Sequence, residues 1–350
     1  MRIGLVGLPN AGKSTIFNAL TKGRAKVERY PFTTIEPNIG KAEVPDERLN
    51  KLKEFINAQE SIPVEIEFVD IAGLIEGASK GEGLGNQFLA QIRDVDLILH
   101  VVRAFQEPDI PHRTLELKPD EDITLVNLEL MLSDLEIVER ALEKLKRPED
   151  KERKEFLLRV KEYLSRGVSP RSLQLKEEEK RIVKEYGLIS FKPVVYVINL
   201  GEGEKEEDFR GRLSQDLNAP IVCIYGKLEE ELSQLSPEER KEFREAWGIG
   251  EGGLEKVVRV CYDMLSLITF YTIARGKLRA WALERGKSII EAAEKIHTDM
   301  AKGFIKGEVI GVDDLLKFSS YSEAKEKGVV KIVGKDYEVK DGDVVFIHFH

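Results

Sequence analysis

The chain has 350 residues, 42% of them hydrophobic and 33% charged, with a formal net charge of -9. That length accommodates two or three domains, and the acidic balance excludes a chain-wide grip on nucleic acid while leaving room for a local basic face. No apolar run reaches the length of a membrane span, and no leader precedes the first apolar run, so a cytoplasmic chain without membrane contact is expected. Cys223 and Cys261 lie far apart in apolar surroundings with no metal-ligand spacing, which reads as packed thiols in a reducing compartment.

In chain order, residues 3–6 read as a buried strand and residues 15–20 as the start of a helix. Between them stands Gly7-Leu8-Pro9-Asn10-Ala11-Gly12-Lys13-Ser14-Thr15. A GxxxxGK[ST] run between strand and helix is a phosphate cradle, because the glycines let backbone N–H groups turn onto the phosphates at a helix N-terminus. Asn10, Ala11, Gly12, Lys13, Ser14 and Thr15 are therefore expected to bind a nucleoside triphosphate. Lys13 would reach the β- and γ-phosphates and serve catalysis, and Ser14 would offer its hydroxyl to Mg²⁺. Residues 30–38, YPFTTIEPN, form a turn-rich stretch with two adjacent threonines, of which Thr34 is the expected metal ligand. A second strand segment, residues 66–73, ends in Asp70-Ile71-Ala72-Gly73 about sixty residues after the glycine loop. Asp70 is expected to hold the metal shell and the Gly73 amide to sense the γ-phosphate. Leu74 follows, where related hydrolases carry the glutamine that orients the attacking water. A leucine cannot polarise water, so hydrolysis is slow or another group positions the water.

The motifs YPFTTIEPN, FVDIAGLIEGASKGEGLGNQFL (residues 68–89) and HVVRAF (residues 100–105) resemble the YchF branch of the Obg family, the Obg-like ATPases, across nearly the whole chain. That branch belongs to the P-loop hydrolases with a hydrophobic residue in place of the catalytic glutamine, as Leu74 has. The resemblance also bears on His112, in the loop after the strand at residues 97–102. An imidazole there could order a water or stabilise developing charge, and it stands where the family has a histidine proposed to replace the glutamine. Arg113-Thr114-Leu115 departs from the family's small residues after that histidine, and an exposed loop histidine remains the alternative reading. His100, inside an apolar strand, reads as a core residue.

Residues 120–187 form a charged helical insertion. Leu125, Leu128, Leu132, Leu135, Leu142 and Leu145 keep three- and four-residue steps, broken only at Glu139, and Phe156, Leu157, Val160 and Leu164 resume them after a Pro148-Glu149-Asp150 break. An antiparallel coiled-coil hairpin is expected, either a partner-binding arm or a packing pair with no partner. The next strand, residues 193–198, ends in Asn199-Leu200-Gly201-Glu202. Guanine recognition rests on Asn-Lys-x-Asp, whose carboxylate accepts from the guanine edge, so with Leu and Glu in those places guanine preference is weakened or lost. Asn199, Leu200 and Glu202 are the candidate base-side residues, Leu200 as an apolar wall with its backbone groups. The resemblance to the family's NxxE variant implies ATP over GTP, although Gly201 departs from it and Tyr225-Gly226-Lys227 replaces the usual Ser-Ala loop.

From residue 266 the texture becomes short strands around a helix at residues 288–296, a β-grasp module, and HTD…KGFIKGEV (residues 297–309) resembles the TGS domain that ends this family. The resemblance implies ribosome or ribosomal RNA contacts, and Lys302, Lys306, Lys325, Lys327 and Lys331 could form a modest phosphate-contacting patch. The expected fold is α/β: a P-loop nucleotide domain with a mainly parallel sheet (residues 1–119 and 188–265), the inserted helical hairpin (120–187) and the β-grasp TGS domain (266–350). The expected function is a Mg²⁺-dependent ATPase acting as a nucleotide-dependent switch on the ribosome. A GTP-hydrolysing ribosome factor and a nucleotide-gated binding protein with incidental hydrolysis are the alternatives.

Overall fold

Two hydrophobic runs, Leu97–Ala104 and Val194–Leu200, are buried at every residue. A strand reaches that state only in mid-sheet with both faces covered, as in a parallel α/β sheet. The computed structural model describes residues 1–21, 38–71, 84–107, 117–147, 150–201, 203–213, 219–246, 252–274 and 276–350. From the N-terminus, β1 (Arg2–Val6) leads through the glycine loop into α1 (Lys13–Thr21). Then come β2 (Asn38–Glu43), α2 (Glu47–Phe55), β3 (Glu60–Ile62), β4 (Glu65–Asp70), α3 (Leu84–Arg93) and β5 (Leu97–Ala104). Three helices follow, α4 (Pro119–Lys144), α5 (Lys151–Ser165) and α6 (Glu177–Tyr186). The nucleotide-domain elements resume with β6 (Val194–Leu200), α7 (Glu206–Leu213), β7 (Ile221–Ile224), α8 (Gly226–Ser233), α9 (Pro237–Ala246) and α10 (Gly253–Met264). The chain ends in β8 (Leu267–Ala274), β9 (Lys277–Glu284), α11 (Ile289–Ile296), β10 (Phe304–Gly311), β11 (Lys331–Val333) and β12 (Asp343–Phe349). Among the described residues no helix is long and apolar enough to cross a membrane.

Two compact units result, one of Met1–Ala42 with Ile66–Cys261, the other of Glu43–Glu65 with Tyr262–His350. Among the described residues the first holds a six-stranded sheet in the order β2-β4-β1-β5-β6-β7. The pairs β1–β4, β1–β5, β5–β6 and β6–β7 are all parallel. β1 is thus central, and the loop leaving it opens at the carboxyl edge of the sheet, where parallel sheets place their ligands.

The helical insertion is present, and its seam follows the expected spacing in part: Leu135, Leu142 and Leu145 pack on the core that holds Phe156, Leu157, Val160 and Leu164, but the seam is not continuous. Leu128 and Leu132 are 38% and 46% exposed. The physical reason is that α4 changes partners along its length. Its first half sends Ile123, Val126 and Leu130 into the core beneath the nucleotide-domain sheet, with Leu89 and Ile92 of α3. Its second half sends Met131, Val138 and Ala141 into a separate core with Phe156, Leu157 and Val160 of α5 and Ile182 of α6. A stripe that serves two cores shifts around the helix, whereas a heptad assumes one continuous partner. Where the cores meet, Asp134 is fully buried and accepts hydrogen bonds from Ile189 N (3.0 Å), Ser190 N (2.7 Å) and Ser190 Oγ (2.6 Å).

In the second unit β8 and β9 form an antiparallel hairpin, β12 lies parallel to β8, and β10 lies antiparallel to β12. With α11 packed on one face through Ile289 and Ala292, this is the β-grasp arrangement. Ser288 caps α11 through a reciprocal capping box with Glu291, the signal that fixes its first turn. The full sheet order, β11-β10-β12-β8-β9-β3, contains a strand from far upstream. β3 pairs in parallel with β9, Glu60 opposite Lys277, and Gln59 N donates to Gly276 O at 3.0 Å. Asp46 caps α2 and accepts from the Tyr271 hydroxyl, while Arg48 donates to both oxygens of Asp341 at 2.7 and 3.3 Å. Residues 43–65, between the Thr34 stretch and the Asp70 strand, therefore complete the C-terminal unit.

Candidate nucleotide site

The site is assembled by strand register before any side chain is considered. Parallel pairing sets Leu5 opposite Asp70 and Val6 opposite His100, so the end of β4 and the middle of β5 flank the loop that begins at Gly7. A Cβ on Gly7 would lie 2.3 Å from Val101 O, which only a glycine avoids. Gly12 has φ +91° and lies so close to Asn199 that a Cβ would meet Nδ2 at 2.2 Å. A left-handed backbone and a close approach together demand glycine there.

Lys13 and Ser14 are the first residues of α1. The Lys13 ammonium, 7% exposed, donates to Gly7 O (3.1 Å) and Leu8 O (2.9 Å), and burial pulls its pKa down to about 8 against the attraction of Asp70. The Ser14 hydroxyl donates to Asp70 Oδ2 at 2.9 Å. Burial raises the Asp70 pKa, while hydrogen bonds from Ser14 and Asn38 and the charge of Lys13 oppose that rise. One hydroxyl and one carboxylate side by side, facing a helix N-terminus, are the hard-oxygen set that Mg²⁺ uses when phosphate and water complete its shell. These residues fit that ion. Asn38, the first residue of β2, escaped the sequence reading. It ends the YPFTTIEPN motif, but only the folded pairing brings it to Asp70.

On the base side, Asn199 is 4% exposed and both ends of its amide are used. Nδ2 donates to Ala11 O at 3.1 Å, and Oδ1 accepts from Gly226 N at 2.9 Å. Asn199 thus ties the phosphate loop to the first turn of α8. The expectation of an apolar wall at Leu200 is corrected. Its side chain, 4% exposed, packs in the core with Ile198, Ala104 and Cys223. Alternation along β6 points it away from the face that carries Asn199, so only the main chain of Leu200 is available to a ligand. Glu204, which the sequence reading did not single out, accepts from Gly201 N through its carboxylate and from the Tyr225 hydroxyl through its carbonyl (2.8 Å). It closes the loop after β6 onto the loop after β7.

His100 is a core residue as expected. It is 2% exposed, its ring lies 5.3 Å from that of Tyr196, and burial lowers its pKa to about 3. Thr34, Gly73, Leu74, His112 and Glu202 lie outside the described residues. Among the described residues no group of three or more His, Cys, Asp or Glu side chains could hold a metal.

Residues 2–147 match the family described as 50S ribosome-binding GTPase, and residues 267–350 match YchF-GTPase_C, described as a protein of unknown function (DUF933). The Ribosome-binding ATPase YchF of Bacillus subtilis (strain 168) is 41% identical over 99% of this chain and 98% of its own length. That of Haemophilus influenzae is 43% identical over 100% of this chain and 99% of its own. The structure of the Schizosaccharomyces pombe YchF GTPase superposes with a TM-score of 0.87 at 31% identity, covering 99% of this chain and 97% of that one. With such identity sustained from the phosphate loop to the last strand, the chain belongs to the YchF family.

Proposed function

We propose that the chain is a Mg²⁺-dependent ATPase that binds the ribosome and acts on it as a nucleotide-dependent switch. The observation that carries this reading is the cluster of Lys13, Ser14 and Asp70 around the phosphate loop, with Asn199 bracing the loop from the base side. In this reading Lys13 and the loop amides hold the phosphates, Ser14 and Thr34 bind Mg²⁺, and Asp70 orients its shell. Bound there, the ion supplies neutralising charge to the β- and γ-phosphate oxygens. The Gly73 amide reports the γ-phosphate, and His112 orders the attacking water that Leu74 cannot. Replacement of His112 by Ala is expected to lower single-turnover hydrolysis about 10²-fold, the scale of one general acid–base or water-ordering group, with ATP affinity unchanged. An unaltered rate would leave His112 without a catalytic role.

The names of the relatives disagree on the base, ATPase for the bacterial proteins and GTPase for the fission-yeast structure. Direct competition of ATP against GTP in a binding titration decides it. ATP is expected to bind at least about tenfold tighter, since an unpaired guanine edge forfeits about 1.4 kcal/mol or more. Equal or tighter GTP binding would favour the GTPase reading.

The ribosome contact is assigned to the C-terminal unit and the helices of residues 120–187, with the cytoplasm as the location. Two of the five expected phosphate-contacting lysines are partly committed within the fold. Lys325 donates to both oxygens of the buried Glu308 carboxylate (2.8 and 3.0 Å), and Lys306 lies 4.0 Å from it. Hydrogen bonds from Lys325 and Tyr321 hold the Glu308 carboxyl well below the usual range. Their charge is already spent in part on Glu308, so Lys302, Lys327 and Lys331 carry more of any phosphate contact.

A further inference from the structure

α3 follows the Gly73 segment, and its last residue is Arg93. The Arg93 guanidinium reaches two pieces of chain at once, α4 and the residue after α6. Nη1 donates to Gly187 O at 2.5 Å and pairs with Asp134 Oδ1 at 3.3 Å, while Nη2 donates to Ser133 Oγ at 2.8 Å. The main chain at the same point is held from the other side, because Lys192 Nζ donates to Arg93 O at 2.9 Å and to Val95 O at 2.5 Å. Asp134 accepts from Arg93, Ile189 N, Ser190 N and Ser190 Oγ. Those four donors fill the four lone-pair sites of a carboxylate.

Asp134 also stands at a mechanical boundary. Before it, Ile123, Val126 and Leu130 of α4 pack in the nucleotide-domain core, whereas Met131 and, beyond Asp134, Val138 and Ala141 pack in the core shared with α5, α6 and Leu188. Asp134 is fully buried and Arg93 partly so, and such a pair resists sliding, because displacing the guanidinium would leave the buried carboxylate short of a partner. Apolar contacts on the same interface could slip by a fraction of an ångström with little penalty. Among the described residues the junction ties the end of α3 to α4 by directed hydrogen bonds, so a shift there pulls on α4.

We propose that the Arg93–Asp134 junction is the transmission by which a nucleotide-driven shift of α3 swings the outer half of α4, with Asp134 as the fulcrum. The proposal rests on the nucleotide-dependent switching stated above. Arg93 and Asp134 touch no nucleotide and act as positioning residues.

The test measures a distance in the full chain between spin labels on Asn18→Cys, on the exposed side of α1, and Lys146→Cys, just past α4. Cys223 and Cys261 are buried and leave the labelling selective. Distances are compared with ADP and with a non-hydrolysable ATP analogue bound. The parent is expected to shift by on the order of 2 Å or more between the two states. In Arg93→Met the shift is expected to vanish, and in the milder Arg93→Lys, which cannot fork to Ser133, Asp134 and Gly187 together, to fall at least about twofold. ATP affinity and basal turnover stay within about twofold of the parent in both variants, because neither side chain meets the nucleotide. A shift that persists in both variants overturns the junction and leaves the switch standing. No shift in the parent overturns the switch itself and the junction with it.

Discussion

Lys13→Ala is expected to lower triphosphate affinity by about 10²- to 10⁴-fold, the loss of two charge-assisted hydrogen bonds at about 1.5–3 kcal/mol each. Isothermal titration with a non-hydrolysable ATP analogue checks it, and affinity within a few-fold of the parent would refute the site. The fold survives the change, since Lys13 spends its ammonium on the carbonyls of Gly7 and Leu8 and not on packing. The same group gives the parent a pH signature. Burial lowers Lys13 to about 8, whereas the phosphates require the charged form. Below pH about 8 the site is already protonated and affinity is flat. Above it, binding must take up a proton, so affinity falls by up to about tenfold per pH unit. The sign for folding is the opposite. Lys13 holds its proton more weakly in the folded chain than in the unfolded one, so its unfavourable contribution to stability, full below pH about 8, fades as pH rises toward 10.5.

Asp134→Ala is expected to destabilise the nucleotide-binding unit by about 3–5 kcal/mol, because it strands the Arg93 cation, two backbone N–H groups and the Ser190 hydroxyl. For a unit of this size that is a drop of roughly 10 °C in its unfolding midpoint. Calorimetry should resolve the transition of this unit separately, since two compact units need not melt together. Ser190→Ala, which removes a single donor, should cost only about 1 kcal/mol. If the two variants prove equally mild, Asp134 is not the hub that its 0% exposure and four partners describe.

How much of this was legible in the sequence follows from how local each feature is. The phosphate loop could be read in full because its chemistry needs contiguous residues, from Gly7 to Ser14, at a strand–helix turn. Asp70 was legible because it ends a strand with a recognisable apolar run. The position of Asn199 was legible but its task was not, since bracing Ala11 to Gly226 joins residues far apart in the chain. Leu200 misled because a strand-end leucine looks the same whether it faces ligand or core, and register decides that. Asn38 ends a recognisable motif but nothing local names Asp70 as its partner, and Glu204 carries no pattern. The leucine steps of α4 held at Leu135, Leu142 and Leu145 and failed at Leu128 and Leu132, as periodicity records which residues share a face and says nothing about a helix that changes partners midway. Residues 43–65 read as part of the nucleotide domain, because nothing in them names a partner two hundred residues away.

That last feature sets a schedule for making the protein. Synthesis runs at about 5–20 residues per second, so residues 60–62 emerge roughly 10–40 s before Lys277–Arg279, the strand segment against which they pair. Throughout that interval β3 has no neighbour, and the loop that joins β2 to β4 hangs open. The first unit can collapse around its own core in the meantime, but it must hold residues 43–65 out as an unfinished edge. Folding therefore completes from the last-made part backward, when β9 arrives and closes a ring begun in the first fifth of the chain.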